Sequence, residues 1–420
     1  MNKLTTILVL SLALTGLNPS TMNFVESGME TLSAFKVVAL LWLGSLGLFL
    51  LTRQSRLMLP SFKVVPKYEF LNTMCLLLLT WVGIFAFSDI VLTSLANLVF
   101  HLAMFLVMYA HVKKMGFGHS IMVHRTVIWL YFSFMTFTAL TYFLVSKDAL
   151  VAFHSFDATS SLPHFRGLAT EASHAAFIVL ASYLALVILS RRSGTALQPS
   201  LHLAVLVMVL LCQSTFGFIL YFCILANLFS LQFYRYRHLI ISTFVSFFIF
   251  FHEPLVGYFV KLQGLLELVQ TMDFDASAYG KIRTMILIIV IQEYETYSLL
   301  TQLFGHGVGS GAAYVTAVSE GEFADGQFGT FVYEFGIVGV LLLLFFFLLN
   351  ISKRDFGISV VFLVLLIFNS NVAGQMYWWV LLALFSLRIH YSAPKYVAVI
   401  SPSYGTVRSR SVAGPFQESR

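Results

Sequence analysis

The sequence predicts an all-α polytopic membrane protein of about twelve transmembrane helices, with two larger outer loops, the second containing an interfacial helix. Three observations predict it. Hydrophobic residues make up 59% of the 420 and charged residues only 10%, with 43 phenylalanines. That balance is foreign to soluble domains. Apolar runs long enough to cross a bilayer recur along the chain. The basic residues sort onto alternate connections, as the positive-inside rule requires.

Taken in order, residues 4–17 could pass for a signal-peptide core, but no small-residue cleavage site follows. Asn18-Pro19-Ser20 reads better as the loop after a first, short span. Further spans are read at residues 33–52, 69–87, 91–111, 126–146, 173–190, 217–234, 239–259, 329–350, 356–371 and 374–390. Residues 201–213 are shorter and pair with the next span, with Ser214-Thr215 as the hinge. An even number of spans puts both ends on one side. Residues 1–390 form the integral membrane domain, and residues 391–420, rich in Ser, Pro and Arg without apolar periodicity, read as a disordered cytoplasmic tail.

Charge assigns the sides. Lys3, the cluster Arg53, Arg56, Lys63 and Lys67, then Lys113, Lys114 and Arg125, and the pairs Arg191-Arg192 and Lys353-Arg354 fall on cytoplasmic connections, with Arg235, Arg237 and the basic tail. Only Lys36, Lys147, Arg166, Lys261, Lys281 and Arg283 remain outside. The net charge of +6 is thus a topology signal and excludes a nucleic-acid footprint. Cys75, Cys212 and Cys223 fall in spans, so neither disulfides nor a metal site is suggested, and no cofactor is expected. No internal repeat of the kind transporters carry is visible.

Residues 147–172 and 261–328 are the long outer loops, and the candidate chemistry lies in them. In the first, Arg166 precedes Gly167, which lets the backbone turn close to whatever the guanidinium grips, and Glu171, Ser173 and His174 follow. The alternative is a structural pair between Arg166 and Glu171. In the second, residues 279–304 read as one helix whose apolar core is too short to cross, lying in the outer interface or dipping partway in. Arg283 near its start is either an anion contact or an arginine reaching lipid phosphates. Residues 305–311, Gly-His-Gly-Val-Gly-Ser-Gly, form a backbone able to present N–H groups as an anion nest, with Gly307 and Gly309 at its centre. The loop lacks the Gly-Lys-Ser/Thr ending of a nucleotide-binding loop. His306 is a base candidate or a structural loop residue. Among the acids that follow, Glu320 and Glu322 read as a solvated face, Asp325 as the functional candidate, and Glu334 as a carboxylate paired inside the bundle.

The ordered set resembles a known group. R-G-x-x-x-E (residues 166–171), the hinge at residues 213–217, a lone Arg283, F-G-x-G-x-G (residues 304–309) and E-x-G-I-x-G (residues 334–339) succeed one another before a span. In this the chain is similar to the bacterial O-antigen polymerase and O-antigen ligase superfamily over roughly residues 166–349; the first five spans match only in hydropathy. The resemblance implies a multi-pass protein of the bacterial inner membrane with both termini cytoplasmic. It also implies glycosyl transfer at the periplasmic face from an undecaprenyl-pyrophosphate-linked glycan donor to a glycan acceptor, with a chain-length regulator protein as a further partner. The ligase branch typically carries His followed by Asn, Ser or Gln upstream of Gly336, where this chain has Asp325-Gly326, which favours the polymerase branch.

Within that resemblance, Arg166 and Arg283 are the pyrophosphate ligands, aided by Gly307 and Gly309. Paired guanidinium–phosphate bonds substitute for a metal. Asp325 is the first choice of general base, Glu171 the second and His306 the third. Four alternatives stay open: an O-antigen ligase acting on lipid A-core, a peptidoglycan glycosyltransferase of the shape-and-division type, a lipid-linked oligosaccharide flippase or other transporter, and a purely structural membrane subunit, which would leave the two arginine loops unexplained. A flippase would concentrate charge within spans rather than outside them.

Overall fold

The computed structural model describes residues 67–85, 95, 117–146, 154–155, 163–169, 172–193, 197–229, 285–311, 314, 317, 327–350 and 356–369. The spans read at residues 4–17, 33–52, 239–259 and 374–390, nearly all of 91–111, and the tail 391–420 lie outside the described residues. So do Glu171, Arg283 and Asp325.

Within them the protein is almost entirely helical. Helices α1 (Lys67–Phe85), α2 (Phe117–Leu144), α3 (Ala172–Ser193), α4 (Pro199–Cys212) and α5 (Thr215–Phe229) are followed by α6 (Met285–Glu293), α7 (Leu299–Phe304), α8 (Gln327–Asn350) and α9 (Phe356–Asn369). Between α2 and α3, two-residue strands β1 (His154–Ser155) and β2 (His164–Phe165) pair antiparallel, with His154 opposite Phe165. Three helical stretches, Gly118–Leu144, Ala172–Ser190 and Phe328–Leu349, are long and apolar enough to cross a membrane.

Helix α3 is the hub. Every side chain from Ala175 to Ser190 is buried, whereas α2 and α8 each keep one apolar face exposed, with Phe137, Leu140, Phe143, Leu341, Leu344 and Leu348 open. In a bilayer an all-apolar helix can face lipid or protein, so it is close packing that sets α3 at the centre. Its small residues Ala175, Ala176, Ala181 and Ala185 let neighbours approach. Gly217 of α5 sits so near that a Cβ there would lie 2.8 Å from Ala176 Cβ. The Tyr183 hydroxyl of α3 lies 2.5 Å from His202 Nδ1 of α4, and its ring stacks on Tyr221 of α5 at 6.4 Å. That bond pairs two polar groups that burial would otherwise penalise.

Two readings of the sequence are corrected. Helix α2 begins at Phe117, well before the apolar run at residue 126, so Arg125 is helical rather than in a connection. It lies exposed, with Nη2 donating to Gln198 Oε1 at 2.6 Å. The helix read over residues 279–304 is broken: α6 passes into a single 3₁₀ turn (Tyr294–Thr296), then Tyr297 turns extended before α7 starts. Ser298 caps α7 by accepting from the Thr301 amide, and the Gln302 side-chain amide bridges the carbonyls of Tyr294 and Tyr297. The hinge between the paired short helices is real: Gln213 is left-handed at φ 48, and Ser214 Oγ accepts from Gly217 N.

Candidate functional site

The site is built on a break in α8. Gly336 sits inside that helix at φ 60 and ψ −166, a conformation essentially restricted to glycine. Such a break strips backbone groups of their helical partners, which is costly at membrane depth unless they are re-paired. Here they are. Tyr333 O accepts from His306 N at 2.9 Å and Glu334 O from Gly307 N at 3.0 Å, while the Ile337 amide faces the Tyr294 hydroxyl. That hydroxyl in turn donates to Gln302 O.

The approach is backbone against backbone. A Cβ on Gly305, itself at φ 77, would lie 2.3 Å from Glu334 O, and one on Gly336 would lie 2.6 Å from both Gly305 N and Leu303 O. The F-G-x-G-x-G and E-x-G-I-x-G segments are therefore two halves of one joint. Val308 N extends it to α1 by donating to Gly83 O at 3.2 Å.

The anion nest expected of residues 305–311 exists, and its occupant is internal. Glu334, mostly buried, turns its carboxylate to the amides of Gly309 and Gly311, the latter donating to Oε1 at 3.1 Å. Gly307 spends its N–H on the Glu334 carbonyl. Gly307 and Gly309 thus hold Glu334 and do not present an open cradle for pyrophosphate. Glu334 is paired inside the bundle as expected, with loop amides as its partners.

Beside this joint lies a polar aromatic cluster that the sequence reading passed over. Glu293 Oε2, at the end of α6, accepts from Tyr297 OH at 2.8 Å and from Tyr314 OH at 2.7 Å. The Tyr333 ring is sandwiched between His306 (centroids 4.0 Å, interplanar 8°) and Tyr314 (4.1 Å, 16°), and Tyr297 meets His306 edge-on at 4.7 Å. Burial, reinforced by donation to Glu293, raises the hydroxyl pKa of Tyr297 and Tyr314, so both stay donors. Burial lowers the His306 pKa, opposed more weakly by the Tyr333 carbonyl and the Glu293 charge. Nδ1 faces Tyr333 O at 3.4 Å, which favours a proton on Nδ1 and leaves Nε2 as the basic nitrogen. The available signal was the recurrence of tyrosine at 294, 297, 314 and 333 around a glycine loop.

The other candidate loop rests on different elements. Arg166 lies at a turn after β2, where Ala169 N donates to Arg166 O at 3.0 Å and Gly167 adopts φ 56. Phe165, Leu168 and Ala169 bury themselves against the bundle, with Phe165 edge-on to Tyr142 of α2 at 5.9 Å. Gln213 at the α4–α5 hinge donates to Pro163 O at 3.4 Å. Arg166 thus follows β2, which packs on α2 and α4, whereas His306 pairs with Tyr333 of α8 and its loop reaches α1 through Val308. A comparison with family models, with curated proteins and with solved structures finds no match for the chain.

Proposed function

We propose that this chain is a metal-independent, inverting glycosyltransferase. It polymerises undecaprenyl-pyrophosphate-linked oligosaccharide units into O-antigen or a related surface polysaccharide at the periplasmic face of a bacterial inner membrane. The observation that carries the reading is the joint at Gly305 and Gly336. Two motifs of the ordered set are physically complementary, which accounts for their occurring together, and they interrupt an apolar helix where a site is expected.

On this reading the described helices belong to a bundle of about twelve spans with both termini cytoplasmic. Residues 147–172 and 261–328 face the periplasm. Three contacts support the sidedness, because each joins ends that charge assigns to one side: Arg125 to Gln198 within, and Pro163 to Gln213 and Val308 to Gly83 without.

The chemistry is a single displacement. The acceptor hydroxyl oxygen bonds to the anomeric carbon as the carbon–oxygen bond to pyrophosphate breaks, inverting the centre. Arg166 and Arg283 neutralise the departing pyrophosphate, and Asp325 takes the hydroxyl proton, with Glu171 and His306 as alternative bases. Glycan chain length in a deletion strain complemented with wild type or Arg283→Ala tests this. Deletion should leave single repeat units, wild type should restore the ladder, and Arg283→Ala should lower turnover by roughly 10²-fold or more. A full ladder in the deletion strain would overturn the reading, as would wild-type polymerisation by a normally inserted Arg283→Ala protein.

A further inference from the structure

We infer that Glu293 and the rings of Tyr297, His306, Tyr314 and Tyr333 form a subsite for a neutral pyranose ring of a glycan. The inference rests on the glycosyl-transfer reading for the identity of that glycan.

The cluster has the two halves such a ligand needs. A pyranose presents hydroxyls at its edge and a patch of apolar C–H groups on its face. Aromatic rings match the second and a carboxylate matches the first, since hydrogen bonds to an ionised acceptor are the strong ones. Both tyrosine hydroxyls converge on Glu293 Oε2, so the carboxylate is oriented from one side, while Oε1 has no hydrogen-bond partner among the described residues. Glu293, Tyr297, His306, Tyr314 and Tyr333 are all half-buried rather than sealed into the core. The ring column is stiffened by its own stacking and by its seat on Ile286 and Val290, so little ordering is left to bind against.

Two other occupants fit less well. Tyrosines at a membrane boundary often rest among lipid headgroups, but a lipid phosphate here would meet the like charge of Glu293. A quaternary ammonium is held by ring faces that converge on one point, whereas His306, Tyr333 and Tyr314 lie nearly parallel in one column and form no such cage. A neutral, hydroxyl-rich ring avoids both conflicts.

Calorimetric titration of the full-length protein in detergent micelles decides it. The probe is the neutral oligosaccharide released by mild acid from the bacterium's own surface polysaccharide. Wild type should saturate, and Glu293→Gln, which keeps the size of the side chain, should weaken binding roughly tenfold or more. Should Glu293→Gln fail to insert, Glu293→Asp, which withdraws the charge by one methylene, should weaken binding in the same direction. Equal affinity of wild type and an inserted variant would overturn the inference, as would no saturation by wild type, or saturation by choline chloride in place of the oligosaccharide. The two readings fail separately. Wild-type binding in a protein whose deletion leaves the glycan ladder intact would remove the polymerase and keep the subsite. Unchanged binding by Glu293→Gln in an active polymerase would do the reverse.

Discussion

The turn at Arg166-Gly167 and the loop at residues 305–311 use the same device, a glycine at positive φ, and hold it by different means. Gly167 is pressed by side chains: a Cβ there would lie 2.8 Å from Met135 Cγ and 3.3 Å from Tyr131 Cδ1. Gly305 and Gly336 are pressed by backbone on every near side. A methionine can swing away, whereas a peptide unit whose carbonyl is already bonded cannot. One loop is packed and forgiving. The other is hydrogen-bonded and not.

The largest expected effect is at the joint. Gly336→Ala should cost about 3 kcal/mol or more, combining a forbidden backbone conformation with a backbone clash. Melting of the detergent-solubilised full chain and proteolysis near residues 305–311 would report it. A variant that melts and resists protease like wild type would abolish the contrast between the loops. Gly167→Ala should cost less, about 1–2 kcal/mol, because only the left-handed backbone resists once Met135 moves. A loss equal to that of Gly336→Ala would show that the Arg166 turn is as rigid as the joint.

The smallest effect is a pH dependence in the second loop. Because burial lowers the folded pKa of His306 below its ordinary 6.5, the native state binds fewer protons than the unfolded one. The stabilisation is complete above about pH 6.5 and is lost as pH falls towards the folded value. His306 is half-buried, so solvent screening keeps the change small. Comparing melting at about pH 7.5 and about pH 5.5, His306→Gln should flatten part of the acid-side loss. An unaltered pH slope in that variant would exclude the imidazole as its source.

These contrasts also show where the sequence was readable. The apolar runs marked α1, α3, α5, α8 and α9 closely, because a bilayer demands length and hydropathy and little else. The hinge at Ser214 was legible from its polar residues between two apolar runs. The break at Tyr297-Ser298 was not, since residues 285–304 keep a helical composition, and the bonds that hold it, Thr301 N to Ser298 Oγ and Gln302 Nε2 to the Tyr294 and Tyr297 carbonyls, exist only once the chain has turned. Gly336 sat among apolar residues that read as one uninterrupted span.

By itself, then, the sequence determined an all-α membrane protein, the position of most described helices, and the crowding of charge and glycine into two loops. Those follow from composition and period, which each residue carries alone. Only the tertiary structure decided that α3 is the buried hub while α2 and α8 keep an open apolar face, since both environments accept the same side chains. It also decided that the glycine loop holds Glu334, and that Glu293 accepts from Tyr297 and Tyr314, whose rings pack on His306 and Tyr333. A hydrogen-bond partner is a property of two distant positions at once, and neither position records it.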